Sequence, residues 1–443
     1  MVALVDASAF YASCECVFRP DLRGQPIVVL SNNDGCIVAL NAEAKRDGIA
    51  MGEPFFKARD RLRTIGAHVF SSNYELYADL SRRVMETLGT FTPDVEPYSI
   101  DEAFLVFSTP RPADRDPARL HALACAIQER VLQWTKIPVR VSIAPTKTLA
   151  KAASEIARRR SPKVAVFPRA DAPETRAALA TIPVGAVWGV GHRSERKLEA
   201  AGVRTALDLA DAHDAWVRKT LRVVGLRTAM ELRGVSCIPV DRAPPPRRTL
   251  LRSRSFGTAV SEPGAMREAL STHAAKACET LRREGLAARA VQVFYRTGHA
   301  DQRGPHRSVA LGAGLPAATA ATTDVVRACH RLLRATWAAR DPAGRPYRYR
   351  KAGVMLLDLA PADLAQADLF RPRAPERERL WEAADRLNHR YAPASGGAPS
   401  VFVAAQGTRG AGAPWHLRSE HRSPAYTTRW PDLPRLPAPA FAA

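Results

Sequence analysis

Three acids far apart in the chain sit in apolar surroundings, where an ionised carboxylate is costly unless a cation or hydrogen-bond donor meets it. Asp6 closes the run Val2-Ala3-Leu4-Val5, and Asp101 and Glu102 lie inside Tyr98-Ser99-Ile100-Asp101-Glu102-Ala103-Phe104. Singly, each reads as a capping or salt-bridged acid. Together, carboxylates from neighbouring strands with few other acids nearby suit a hard, oxygen-seeking cation such as Mg²⁺. Neighbours on a regular strand point to opposite faces, so Asp101 and Glu102 share one site only if the chain bends between them.

A second kind of chemistry is written in glycines and arginines. Pro183-Val184-Gly185-Ala186-Val187-Trp188-Gly189-Val190-Gly191 precedes a helix bearing Arg193 and Lys197, and the segment closes at Gly202. This pattern resembles a helix-hairpin-helix, in which Gly189 and Gly191 let backbone N–H groups approach a phosphate without reading sequence. Further on, Arg247, Arg248, Arg252 and Arg254 cluster. Arg252 and Arg254 fall on one face of a strand, interleaved with Ser253 and Ser255, and read either as a solvated face or as a track for phosphates.

Bulk composition agrees with a polyanionic partner. The 443 residues carry 65 Lys and Arg against 44 Asp and Glu, a formal charge of +21. Such an excess attracts polyanions at long range, though charge alone does not separate DNA from RNA or an anionic membrane surface. Hydrophobic residues make up 46% of the chain, enough for a sizeable core and, by length, about three domains. The seven cysteines include no Cys-x-x-Cys pair and no zinc-ligand spacing, and read as reduced thiols of a cytosolic protein. No apolar run approaches the roughly 18 residues that a membrane helix needs. The expectation is a soluble, cytoplasmic, nucleoid-associated protein.

The elements that must position these residues are legible in outline. Val2 to Val5 reads as a strand and Ala7 to Cys16 as a helix. Two apolar runs, Pro26 to Leu30 and Cys36 to Leu40, flank Asn32-Asn33-Asp34-Gly35 and predict a hairpin with Gly35 in the positive-φ position. A short helix from Ala42 to Asp47 ends at Gly48. Leu76, Leu80, Val84 and Leu88 recur every four residues, which predicts a helix from Tyr74 to Leu88. Glu96 to Phe107 reads as a hairpin, Leu120 to Trp134 as an amphipathic helix and Val139 to Ala144 as a strand. Helix and strand thus intermix through residue 167, an α+β layer on a sheet. Residues 173–234 are helix-rich and Gly-punctuated, a small helical domain, and Pro244-Pro245-Pro246 begins a stiff basic linker. Beyond it the order is strand 250–257, helix 264–284, strand 290–296, strand 307–313, helix 321–337 and strand 349–359. That β-α-β-β-α-β order predicts a two-layer domain with both helices on one sheet face. After Pro361 the Pro-, Gly- and Ala-rich chain is expected to be only partly ordered.

Val5-Asp6-Ala7-Ser8-Ala9-Phe10-Tyr11-Ala12-Ser13-Cys14-Glu15 and Tyr98-Ser99-Ile100-Asp101-Glu102-Ala103-Phe104 resemble the two signature segments of Y-family, lesion-bypass DNA polymerases. Leu30 to Cys36, Asn41-Ala42-Glu43-Ala44-Lys45 and Ser71 to Asp79 resemble the UmuC branch, the catalytic subunit of bacterial DNA polymerase V. The resemblance runs from residue 1 to about 430. It implies an α+β right-hand polymerase with palm (1–10 and 75–167), small fingers (11–74), helical thumb (168–234), basic linker (235–249), little finger (250–360) and a tail (361–443).

The implied activity is template-directed, error-prone translesion DNA synthesis. Asp6, Asp101 and Glu102, helped by the Ala7 carbonyl, would bind two Mg²⁺ ions that activate the primer 3′-hydroxyl and steady the leaving pyrophosphate. Phe10 and Tyr11 would meet the incoming nucleotide, with Tyr11 at the sugar-discriminating position. Lys45 and Lys151 would meet its triphosphate. Many relatives have Tyr and Arg where this chain has Ala42 and Lys45, so a bidentate fork becomes a point charge. Gln366-Ala367-Asp368-Leu369-Phe370 resembles the peptide that bacterial polymerases insert into the sliding clamp, through Gln366, Leu369 and Phe370. Implied partners are primer–template DNA, dNTP, the clamp, a UmuD′-like accessory protein and a recombinase filament, with no membrane. Two other readings stand beside this one: a polymerase IV-like enzyme, and a non-catalytic DNA-binding scaffold of the same fold.

Overall fold

The computed structural model describes residues 1–107, 116–241, 246–298, 304–364, 375–391, 399–407 and 415–434. The chain divides into two units: Met1–Val29, Ile37–Pro244 and Ser423–Ala443 form the first, Leu30–Cys36 and Pro245–Arg422 the second.

The first unit is built on a five-stranded sheet. Its strands are β1 (Val2–Ala7), β5 (Val95–Pro97), β6 (Glu102–Val106), β7 (Val139–Ala144) and β8 (Val164–Val166), in the order β5-β6-β1-β7-β8. Only the β7–β8 pair is parallel. Alternation along the central strand β1 sends Ala3, Val5 and Ala7 to one face and Val2 and Leu4 to the other. The first face packs on α1 (Phe10–Phe18), α4 (Tyr74–Leu88) and α5 (Pro117–Thr135), burying Leu76, Leu80, Val84, Ala124, Ile127 and Val131. The second packs on α6 (Lys147–Ala157) through Leu149, Ala150 and Ala153. This second core continues into α7 (Pro173–Ala180), α8 (His192–Ala200), α9 (Ala206–Asp211) and α10 (Asp214–Leu232).

A smaller sheet, ordered β3-β2-β4, comprises β2 (Ile27–Leu30), β3 (Ile37–Leu40) and β4 (His68–Ser71), with α2 (Ala42–Arg46) and α3 (Phe55–Thr64) between its last two strands. The β2–β3 hairpin forms where the apolar runs predict it, but its turn differs from expectation. Asn33 and Asp34 take the positive φ values, 62° and 50°, while Gly35 sits at −79°. The connection is longer than a two-residue turn, and Asn and Asp tolerate the left-handed region. Gly48 does close α2 with a φ of +79°.

The second unit holds an antiparallel sheet ordered β11-β10-β12-β9, from β9 (Thr249–Val260), β10 (Leu286–Thr297), β11 (Ser308–Thr319) and β12 (Tyr349–Pro361). Helices α11 (Pro263–Arg283) and α12 (Thr322–Thr336) cover one face, over Val291, Val293, Tyr295, Val354 and Leu356. The predicted β-α-β-β-α-β order is therefore present, with longer strands than expected. Past Pro361, where partial order is expected, α13 (Pro375–Tyr391) forms and is held by Arg282, whose guanidinium meets Asp385 at 2.6 and 2.8 Å. All seven cysteines are free thiols.

Candidate active site

The sheet register assembles the acids. Asp6 lies on central β1 directly opposite Glu102 on β6 and opposite Arg140 on β7. Opposed residues in an antiparallel pair share a face, so Glu102, Asp6 and Arg140 make one row across three strands. It is the face on which Leu4 and Phe104 meet α6. Asp101 falls just before β6, in the bend that the shared site requires. Ser99 shapes that bend: its Oγ accepts from the N–H groups of Asp101 (3.2 Å) and Glu102 (3.0 Å) and donates to Asp101 Oδ1 at 2.5 Å. The Asp101 carbonyl accepts from the Ala7 N–H at 2.8 Å, which ties the hairpin to the end of β1.

Each acid of the row is met by a cation. Arg140 Nη2 donates to Asp6 Oδ2 at 2.5 Å, and Lys151 Nζ, from α6, reaches both Glu102 oxygens at 2.8 and 2.7 Å. Burial pushes the Glu102 carboxyl upward in pKa, Lys151 opposes that rise, and the Asp6 charge reinforces it. In these side-chain positions no three acidic, His or Cys groups among the described residues are gathered tightly enough to hold a metal ion. The donor set nonetheless fits a hard cation. It is all oxygen, and two of its acids sit in register on adjacent strands with a third one residue away. The ammonium and guanidinium occupy the carboxylates as cations of the same sign would.

Tyr11, on α1, lies close enough to Asp101 for that charge to act on its hydroxyl. Its ring stacks on Tyr77 with centroids 4.4 Å apart and planes 15° off parallel, and meets Tyr74 edge-on at 6.1 Å. Burial raises its hydroxyl pKa, with further contributions from Tyr74 and from the charge of Asp101. Phe10 is buried behind it, 5.9 Å between ring centroids. Lys45 is exposed in the last turn of α2 and makes no ion pair among the described residues.

Gly189 takes a φ of +90°, and Gly191 is the N-cap of α8, on which Arg193 and Lys197 are exposed. Trp188, in the same hairpin, donates its indole N–H to the Tyr98 hydroxyl at 3.2 Å, and Lys151 lies 4.7 Å over the Tyr98 ring. Arg252 and Arg254 do share a face of β9, the one that bears α11, and both side chains are exposed. They follow Leu250 and Phe256 in the alternation, and Arg252 donates to Thr280 Oγ1 at 2.7 Å. Residues 366–370 lie outside the described residues.

Sequence reasoning missed Arg140, Ser99 and Tyr77. Arg140 carried a signal: it is the one charge in Val139-Arg140-Val141-Ser142-Ile143-Ala144, the mark of a side chain with a fixed partner.

Residues 5–155 match the impB/mucB/samB family, residues 247–369 its C-terminal domain, and residues 378–436 a domain of unknown function, DUF4113. The chain is 43% identical to Protein UmuC of Salmonella typhimurium, over 98% of its own length and 100% of that protein. It is 42% identical to Protein ImpB of the same organism, over 98% of this chain and 99% of the relative. The chain belongs to the impB/mucB/samB family. More distant members of the comparison include DNA polymerase IV of Moorella thermoacetica, 30% identical over 88% of this chain and 93% of that one. Among solved structures, the Y-family DNA polymerase chimera Dbh-Dpo4(243-245)-Dbh superimposes with a TM-score of 0.62, covering 81% of this chain and 98% of that one at 21% identity. The insertion ternary complex of Dbh DNA polymerase gives 0.52 at 20% identity, with the same coverage. The fold of this impB/mucB/samB member is that of the Y-family DNA polymerases.

Proposed function

We propose that Asp6, Asp101 and Glu102 form the catalytic centre of a template-directed, error-prone DNA polymerase that transfers nucleotides from dNTPs to a primer 3′-hydroxyl and crosses damaged template bases. The observation that carries this reading is the β1–β6 register, which sets Asp6 against Glu102 with Asp101 beside them. The five-stranded sheet serves as the palm, the β3-β2-β4 region as the fingers, α7 to α10 as the thumb and the β9–β12 domain as the little finger.

Asp6, Asp101, Glu102 and the Ala7 carbonyl would hold two Mg²⁺ ions, which supply activation of the primer hydroxyl and charge neutralisation on the leaving pyrophosphate. The chain's own residues then bind and orient. Lys151, released from Glu102, is placed to meet the triphosphate, and Lys45 adds a second point charge. Tyr11, held flat against Tyr77, presents a ring that a ribose 2′-hydroxyl would strike. For the DNA, Arg193 and Lys197 on α8 and Arg254 on β9 are the proposed phosphate contacts, with the N–H groups near Gly189 and Gly191. Arg252 is engaged with Thr280 and is set aside from that role.

The peptide Gln366 to Phe370 is proposed to enter a sliding clamp; removing Leu369 and Phe370 should abolish clamp-stimulated synthesis and spare basal extension, and equal stimulation would refute it. A UmuD′-like accessory protein and a recombinase filament are the further partners that the UmuC resemblance supports.

Mg²⁺-dependent primer extension tests the centre itself. Asp101→Ala should lower extension by about three orders of magnitude or more while primer–template binding stays within about twofold of wild type. Retained extension would remove Asp101 from the centre, and a wild type that extends no primer would leave a DNA-binding scaffold.

A further inference from the structure

The last described segment of the chain, residues 415–434, falls within the domain of unknown function, and from Ser423 onward it belongs to the first unit. There it packs on α1 and α4. Asn73, the residue that precedes α4, donates its amide to the Ser423 hydroxyl at 3.0 Å and to the carbonyls of Ser423 and Pro424 at 3.4 and 3.3 Å. The Tyr426 ring lies parallel to Phe18 at the end of α1, with centroids 4.7 Å apart and planes 9° off, and joins the core of that face. The segment closes on itself where Asp432 accepts from the Ala425 N–H at 2.9 Å.

These contacts end one residue short of the tyrosines that pack against Tyr11. Asn73 is followed by Tyr74 and Tyr77 in the first turn of α4. The Tyr77 hydroxyl donates to Glu15 Oε1 at 2.7 Å, and the Ser423 hydroxyl also bears on the Glu15 carboxyl. Glu15 shares the nine-residue helix α1 with Phe18 and Tyr11. So short a helix has little stability of its own and takes its position from what it packs on. The tail therefore fixes both supports of the Tyr11 ring: the helix that carries it and the Tyr77 ring on which it lies.

We propose that residues 423–434 are a strap that holds Tyr11 from behind, so that Ser423 and Tyr426 act as positioning residues for selection of the incoming sugar. The inference rests on the reading of Tyr11 as the residue that meets that sugar. A ring that excludes a single hydroxyl works only within a fraction of an ångström, which makes its backing as important as its identity.

The test is single-nucleotide incorporation by the full chain, comparing kcat/KM for dNTP with that for the matching rNTP. Tyr11→Ala is the control for the site. The double variant Ser423→Ala with Tyr426→Ala should lower the deoxy-to-ribo ratio roughly three- to tenfold, with kcat for dNTP held within about twofold. Tyr426→Phe keeps the stack and should restore the wild-type ratio. Should the double variant fail to fold, Tyr77→Phe keeps the ring under Tyr11 but cuts its link to Glu15, and is expected to lower the ratio in the same direction. If Tyr11→Ala relaxes selection while the double variant, or Tyr77→Phe in its place, holds the wild-type ratio, the strap is overturned. If Tyr11→Ala itself changes nothing, the reading of Tyr11 falls and takes this inference with it.

Discussion

Glu15 is wholly buried, with the Tyr77 hydroxyl as its close donor, and burial lifts its pKa from 4.5 to about 7 against the pull of that hydrogen bond and of Ser423. Between those two values the folded chain keeps a proton that the unfolded chain has released. Its contribution to stability is thus complete below pH 4.5 and lost as pH rises through 7, by up to about 3 kcal/mol. Glu15→Gln, neutral at every pH, should flatten that part of the profile. The expected result is a variant whose melting temperature falls less than that of wild type between pH 5 and pH 8, and parallel profiles would contradict it. Such a residue is opaque in sequence, because Ser13-Cys14-Glu15-Cys16 gives no sign that its acid faces inward. Asp6 and Asp101-Glu102 were legible for the opposite reason, since charges set in apolar strands must be answered by something. What answers them here, Arg140 and Lys151, comes from β7 and α6, and only the fold brings them within reach.

Elements were legible where one face alone decides their packing. The four-residue rhythm of α4 predicted Tyr74 to Leu88 and the helix spans those residues. β7 spans Val139 to Ala144 as predicted. α13 escaped because its sequence is dominated by charge, and what anchors it is an ion pair to α11 more than a hundred positions away. The junction of α10 with α6 escaped for the same reason. Glu231, in the last turn of α10, is fully buried and accepts from the N–H and hydroxyl of Thr148 and from the N–H groups of Cys237 and Ile238, at 2.9 to 3.1 Å. Four donors to one carboxylate knit the end of the helical region, the start of α6 and the chain that leaves toward the linker. Glu231→Ala would strand those donors out of water. We expect a loss of about 3 kcal/mol or more in urea unfolding, larger than for Arg176→Ala, whose partner Asp211 is half exposed. Equal losses in the two variants would show that the junction holds by apolar packing instead.

For the molecule as a whole, charge is the property that sequence states most directly and structure distributes. The excess of +21 is spread over both units, and exposed basic residues on α8 and β9 are the part assigned to DNA. Contacts of this kind neutralise phosphates and release counterions, so affinity falls with salt along a straight line in logarithms, with a slope near −0.9 for each phosphate met on duplex DNA. Arg193→Ala and Lys197→Ala should each make that slope shallower by about 0.9. Each should also weaken binding equally on templates of different sequence, because neither side chain reads bases. Fluorescence anisotropy of a labelled primer–template across a salt series measures both quantities. A double variant with the wild-type slope would place α8 away from the DNA, and a loss that varied with template sequence would make these residues readers of bases rather than holders of the backbone.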